Sequence, residues 1–514
     1  MSLLSFVLFL PLIGFFLLLR LPKDSRAPFY VSLGAALVTF FTSLGLIGPA
    51  LVDGARFSSV VDSAWISSPG LEIRWHLGVD GISLWLILLV TLLIPIGIWF
   101  SDTMIADRKK SFFALILLFE FGIIGVFSAL DLFVFYVFWE VALIPMYLLV
   151  GTWGGRRRMY AAVKFFVYTF AGSVLMLGTI IYLHTQTGTF DYVAIINALQ
   201  SGRVTLSYST QLILFLGFFA AFAVKVPIFP LHTWLPVTYG EAPTAITFLL
   251  AAAMSKMGTY GLVRFCLVLT PAAAHRCASW IAVLAIIGII YGALLALVQT
   301  DLKRLIAYSS VSHLGFIVLG IFTFTQQGID GAVFQMVAHG ISTGALFLLV
   351  GYIEHRSGTL EISELGGLAN SAPRLASVFM IALLASIGLP ALCNFIGEFL
   401  VLQGAALTHF SWAAWAAIGV ILSAAYMLWM YQKVFLGHLN ERHGPFPDLI
   451  GRDWVTLVPL VLLMVWLGSY TQSFMPVISA ATSRTLDQSK INEEYRVKLT
   501  TPKPVQTAEV YHAR

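Results

Sequence analysis

Charge is what this sequence holds least of. Only 11% of its 514 residues are Asp, Glu, Lys or Arg, against about 25% in a soluble domain. Dividing the length into soluble domains therefore has no meaning. The useful unit is the apolar run of about 20 residues that crosses a bilayer. Cysteine is scarce as well. Cys266, Cys277 and Cys393 form no C-x-x-C pair and no iron–sulfur, zinc or haem-attachment spacing. Walker A, G-x-G-x-x-G and H-E-x-x-H sequences are all missing. These absences leave no recognisable nucleotide or redox chemistry, and no cofactor or metal is expected. The formal charge of +5 is not a nucleic-acid signal, because the basic residues cluster between apolar segments. No nucleic acid is expected as a partner.

What is present is apolar: 59% of the residues are hydrophobic, and 40 are Phe. Fourteen spanning segments are expected, making an all-α polytopic membrane protein. They cover 2–21, 29–50, 81–100, 111–129, 131–151, 161–184, 210–237, 243–268, 279–299, 303–324, 331–354, 374–407, 411–436 and 453–473. Residues 2–19 have no basic stretch ahead of them, so the first segment reads as a retained helix and not a signal peptide. Segments seven (210–237) and twelve (374–407) exceed one crossing. Both carry proline near the middle, Pro227 and Pro230 in one and Pro390 in the other, so both are expected to be broken.

Basic residues fall after segments one, three and five (Arg20, Lys23, Arg26; Arg108, Lys109, Lys110; Arg156, Arg157, Arg158). They recur at Lys303, Arg304, Arg356, Arg374, Lys433, Arg442 and Arg452. The opposite loops carry Arg56, Arg74, Arg203 and Arg276, a ratio of 16 to 4. By that bias the odd-to-even loops are cytoplasmic and both termini lie outside. Residues 51–80 read as an outside loop with short strands. Residues 474–514 read as a polar tail, either a flexible extension or a surface for another subunit.

An internal echo organises the chain. Asp131-Leu132 opens segment five, with Glu140 nine residues on. Asp301-Leu302 opens segment ten, with Ser310 and His313 at similar depth. The two broken segments, seven and twelve, are also five apart. An odd number of helices per repeat inverts the second copy. The organisation is then 1–100 with three segments, a first five-helix repeat at 111–268, a second at 279–436, segment fourteen at 453–473 and the tail.

Lys225 sits in the apolar run FLGFFAAFAVKV, just before Pro227. A lysine at bilayer depth costs several kcal/mol unless it faces protein or water, so it marks an ion or proton path. Glu140 lies near mid-depth in segment five and is its natural partner. A coupled pair of this kind loads and releases a proton as its separation changes. The bland alternative is a static ion pair joining two helices. Lys256, His313, His339 and Glu398 also lie at depth, with Glu120 in segment four. They are too many for one static pair and read together as a wetted polar axis. Histidine titrates near pH 6.5 and suits a relay. Lys164 is read either as a relay group or as a side chain snorkelling to the cytoplasmic face. Pro227 and Pro390 free the carbonyls of Ala223 and Ser386, which water or polar side chains must meet. A hydrated cavity is expected beside Lys225 and near Glu398, with His232 and Thr233 continuing the path.

These stretches carry a resemblance. WEVALIPMYLLVGTWGG, FAVKVPIFPLHTWLPVTYGEAPT, SKMGTYGLVRF, DLKRLIAYSSVSHLGF and MVAHGISTGALFLLVGYI resemble the antiporter-like subunits of respiratory complex I. The resemblance spans segments five to eleven. It implies a proton-translocating, non-redox module of NADH:quinone oxidoreductase in a bacterial inner membrane. It also implies the other membrane-arm subunits, types L and N among them, as neighbours, with protons, water and lipid as the other partners. Glu140 and Lys225 are then the paired switch, Lys256 the central connector and Glu398 the outlet group. Glu398, in NFIGEF, stands where L, N and Mrp antiporter subunits typically carry Lys. Val237-Thr238-Tyr239 stands where the family often has Asp-Ala-His, so no essential relay is placed at Tyr239. The alternative reading is an Mrp-type cation/proton antiporter subunit.

Overall fold

The computed structural model describes residues 2–22, 25–438 and 446–490. Among these, thirteen helices are long and apolar enough to cross a membrane. They begin with α1 (Leu3–Arg20), α2 (Ala27–Val52), α3 (Gly81–Met104), α4 (Lys109–Ser128), α5 (Leu132–Trp153), α6 (Arg158–Thr187) and α7 (Tyr208–Lys225). The short α8 (Trp234–Glu241) completes the broken seventh crossing. Then follow α9 (Thr244–Leu269), α10 (Pro271–Leu297), α11 (Leu302–Ile321) and α12 (Gln326–Ser357). The twelfth crossing is broken into α13 (Pro373–Ser386) and α14 (Cys393–Thr408), each too short to span alone. α15 (Phe410–Phe435) and α16 (Gly451–Ser469) close the set of fourteen crossings.

The inverted repeat is visible in the backbone. Asp131 caps α5 by accepting from the Phe133 and Val134 N–H groups, and Asp301 caps α11 by accepting from Arg304 N–H. Each aspartate bridges to the loop that follows the next helix, Asp131 to Asp191 and Asp301 to Glu361. The two pairs are separated by the same 60 residues and lie 170 residues apart. The helices leading into those loops both end on a left-handed glycine, Gly188 and Gly358, with φ 74° in each. The first bridge adjoins the hairpin of β1 (Ser58–Ser68) and β2 (Leu71–Val79), where Arg74 N–H donates to Asp131. The second lies on the opposite, basic face, where neighbouring Lys303 donates to the carbonyl of Ala242 at the end of α8.

α9 is buried along its full length and α12 throughout its central part, whereas α1, α2, α6, α15 and α16 present mostly open apolar surface. The ionisable side chains therefore belong to the centre of the bundle. The expected polar tail is corrected over its first part. Met475–Gln488 forms α17, which lays Val477, Ile478 and Ala481 against the bundle. Ser479 and Thr482 hydroxyls donate to Asp330 on α12, and Arg484 donates to the Ala55 carbonyl. This segment is a docked strap. The remainder of the tail, 491–514, lies outside the described residues.

Candidate functional site

One bonded row starts at the end of the first repeat and runs into the second. α9 carries Lys256 just beyond a π-helical stretch, Leu250–Met254. The widened turn leaves the Ala251 carbonyl to side chains. Lys256 Nζ donates to it at 2.7 Å and to Ser255 Oγ at 3.1 Å. The same ammonium lies 2.8 Å from His339 Nδ1 on α12. The His339 and His313 rings are 5.7 Å apart, and the Nε2 of each is buried without a partner. His313 Nδ1 lies 2.8 Å from Glu398 Oε1 on α14, and Gln335 Nε2 donates to that oxygen at 3.1 Å. All six of these side chains are buried. Lys256, His339, His313 and Glu398 are thus brought together as expected, with one gap between the two imidazoles. A gap flanked by two unpartnered ring nitrogens has the donors and acceptors that one bridging water requires.

The seventh break is arranged otherwise. Lys225 ends α7 and is 1% exposed, yet its Nζ has no hydrogen-bond partner. It points instead at the rings of Trp139, 5.1 Å away, and Phe165, 5.6 Å away. Glu140 is only half-buried, and its Oε1 is also unpartnered. The static ion pair of the bland alternative is absent, although each group lies within reach of the other's charge. Glu140 sits near Ser173, beside the exposed apolar residues Ile144 and Leu148. Its side of the bundle faces outward.

The breaks differ from expectation in detail. The Ala223 carbonyl accepts from the backbone N–H of Ile228, not from water or a side chain. The Val224 carbonyl accepts from the Trp234 indole, and the Ser386 carbonyl from the Asn394 side chain. The space opened at the seventh break is only about 10 Å³, bounded by groups such as Pro227, Ile228, Leu284 and Gly288. Beside Lys225 the walls are aromatic, the rings of Trp139 and Phe165. Lys164 neither snorkels free nor joins the row, for it donates to the Thr233 carbonyl just past the break. His232 is buried against Phe229 and Tyr291, with Nδ1 unpartnered. Glu120 is fully buried, with neither oxygen partnered, and stands apart from the row. Tyr239 packs edge-on to Trp234 and Phe347.

Three groups escaped the sequence reading. Arg264 lies in a second π-helical stretch, Leu262–Cys266, and its Nη2 reaches both carboxylate oxygens of Asp80 at 2.6 and 2.7 Å. Asp80 at the same time caps α3 through the Ile82 and Ser83 N–H groups. The third is Gln335. The arginine was in view inside SKMGTYGLVRF, but nothing local names a partner 184 residues away.

Residues 129–424 match the family described as NADH:quinone oxidoreductase/Mrp antiporter, transmembrane. The chain is 43% identical to NADH-quinone oxidoreductase subunit M of Rhodobacter capsulatus, over 91% of this chain and 93% of that one. Among solved structures, respiratory complex I from Thermus thermophilus with bound NADH contains a chain with TM-score 0.86 and 32% identity. That match covers 95% of this chain and 100% of the other. The Mrp complex from Dietzia sp. DQ12-45-1b contains one with TM-score 0.81 and 21% identity, covering 95% and 98%, a likeness of fold alone.

Proposed function

The chain belongs to the NADH:quinone oxidoreductase/Mrp antiporter family, and on that footing we propose that it is the proton-translocating, non-redox M-type subunit of an NADH:quinone oxidoreductase. The observation that carries the proposal is the bonded row Lys256–His339, His313–Glu398, buried in a bundle whose sequence holds no recognisable electron-carrier motif. Such a row moves protons and not electrons, so the driving energy reaches it from other subunits. Glu140 and Lys225 form the switch. Two unpaired charges within each other's field respond to any change of their separation. Lys256 connects the halves, His339 and His313 relay, and Glu398 is the outlet group. His232 continues the path past the seventh break, and Glu120 is a further candidate off the row.

The basic loops face the cytoplasm of a bacterial inner membrane, with both termini outside, on the strength of the charge bias. The half-buried Glu140, ringed by open apolar surface, supports a neighbouring membrane-arm subunit on that side, of the L or N type. Two measurements test the proposal. The purified protein should bring flavin- and iron–sulfur-bearing subunits with it. Lys256→Ala should stop NADH-driven proton uptake in vesicles while NADH oxidation by an artificial acceptor continues. Normal uptake in an assembled Lys256→Ala complex would sink it. The Mrp-type cation/proton antiporter is the second reading, favoured by the shared fold. Copurification with antiporter subunits alone, and uptake that requires Na⁺, would install it instead.

A further inference from the structure

Glu398 is held asymmetrically. Its Oε1 accepts from Gln335 Nε2 and faces His313 Nδ1. Its Oε2 points to the break in the twelfth crossing, where Gly388 has φ +77° and no side chain. A Cβ at Gly388 would stand 2.9 Å from Oε2. The two carboxylate oxygens thus face different neighbours, one the buried row and the other Gly388 at the gap between α13 and α14. Gln335 is fully buried, and α12 meets α14 closely enough for its amide to reach Glu398 because Gly331 lies against the Gly397 carbonyl and Gly397 against Gln335 itself. Any side chain at Gly397 would collide with Gln335 Oε1. That amide oxygen is itself buried without a partner.

We propose that Gln335 is the positioning residue that makes Glu398 a two-sided proton carrier. The inference rests on the proposed place of Glu398 in the proton path. The amide keeps Oε1 turned to His313 and Oε2 turned to the break. A proton passes from His313 Nδ1–H to Oε1, and the proton on Oε2 leaves to water at the break. The C–O and C=O bonds exchange, and one proton moves through with no change in electrons. Rotation of the carboxyl resets it. Gln335 serves both states of the carboxyl. Its N–H donates to the carboxylate, and a half-turn of the amide presents its free oxygen to an Oε1–H.

The test is NADH-driven proton uptake by the intact complex in vesicles, measured against pH. Gln335→Met keeps the length and removes the N–H. It should slow uptake roughly fivefold, the weight of one buried hydrogen bond. It should also move the pH optimum upward, because the carboxylate has lost a donor. Gln335→His, which restores an N–H, should recover the optimum. In a Glu398→Gln background the Met substitution should add nothing. Gln335→Asn, whose amide is withdrawn by one methylene, provides a second variant with the same direction of shift if the Met variant assembles poorly. A wild-type rate and pH optimum for either variant would overturn the proposal. So would an equal slowing at every pH that persists in the Glu398→Gln background, since that marks a packing role. If Glu398→Gln alone pumps at the wild-type rate, the place of Glu398 in the path fails, and that outcome is distinct from a silent Gln335.

Discussion

Around the seventh break Lys225 ends against two aromatic rings without an acceptor, whereas in the row that joins the two repeats His313 ends on Glu398 and Lys256 on His339. Both sets are deeply buried, so depth is not what separates them. The difference lies in whether the desolvation of the charge is offset. A buried charge with no partner costs several kcal/mol in place. That cost makes its protonation and position sensitive to any charge that approaches. A bonded row holds its geometry and passes protons along it. On the proposed function, switching then belongs to the unpaired charges at the seventh break and conduction to the bonded row.

The largest effect expected is at the unpaired charges. Lys225→Met or Glu140→Gln should nearly abolish NADH-driven proton uptake and the quinone reduction coupled to it, with Glu140→Asp milder. Removing an unpartnered buried ammonium also removes its desolvation cost. The Lys225→Met complex should therefore melt at or above the wild-type temperature while failing to pump. A clear drop in melting temperature would mean that Lys225 is paired in the working complex, and the contrast with the bonded row would dissolve.

Asp80 and Arg264 supply the control within the first half, a charge pair as buried as Lys225 but fully bonded. Asp80→Asn leaves Arg264 uncompensated and should lower stability by about 3–5 kcal/mol. Pumping per assembled complex should fall far less. Thermal denaturation of the purified complex beside vesicle uptake separates the two effects. If Asp80→Asn instead stops pumping in a stable complex, pairing does not distinguish structural from switching charges.

Next in size is Glu398. Glu398→Gln keeps the shape and loses the titrating oxygen, so uptake should slow clearly. Glu398→Lys should retain part of the activity, since related subunits carry Lys there and the Gln335 amide can turn its oxygen to an ammonium. A static packing role predicts the reverse ranking, because a lysine disturbs a packed carboxylate more than its neutral isostere does. Uptake rates of the two variants decide.

The sequence made some of this arrangement legible and hid the rest. The breaks at Pro227 and Pro390 and the segment starts at Asp131 and Asp301 were readable because proline and aspartate act on their own backbone. Lys256, His313, His339 and Glu398 were readable because polarity at bilayer depth is expensive anywhere. Partnership was not. Glu140 and Lys225 were named together from charge alone, and nothing local showed that the rings of Trp139 and Phe165 wall the lysine. Arg264, Asp80 and Gln335 are joined only by the folding of distant segments. The π-helical turn ahead of Lys256 falls in LAAAM, which carries no local signal for it. The docked α17 was concealed by its setting, since only Val477, Ile478 and Ala481 form its apolar stripe inside a polar tail.

The smallest effect expected sharpens the comparison at the two symmetric bridges. In the first half His76 Nδ1 bonds Asp191, whereas the corresponding bridge from Asp301 to Glu361 has no histidine. Burial by itself would lower the His76 pKa. The Asp191 carboxylate outweighs it, with help from Asp62 and against Arg74, so the imidazole keeps its proton above the ordinary value of 6.5. A pKa raised by folding contributes stability that is complete below 6.5 and lost as pH rises through the raised value. The first bridge should therefore loosen between neutral and alkaline pH, and the second should not. Hydrogen exchange at Leu132 and Tyr192 N–H, which bond Phe190 and Leu130 carbonyls, should accelerate beyond the intrinsic pH dependence. Leu302 and Ile362 N–H, bonded to Leu360 and Thr300 carbonyls, should follow the intrinsic dependence alone. His76→Gln should make the two bridges behave alike. Equal pH responses in the unmutated protein would show that the histidine adds nothing to the symmetry-related contact.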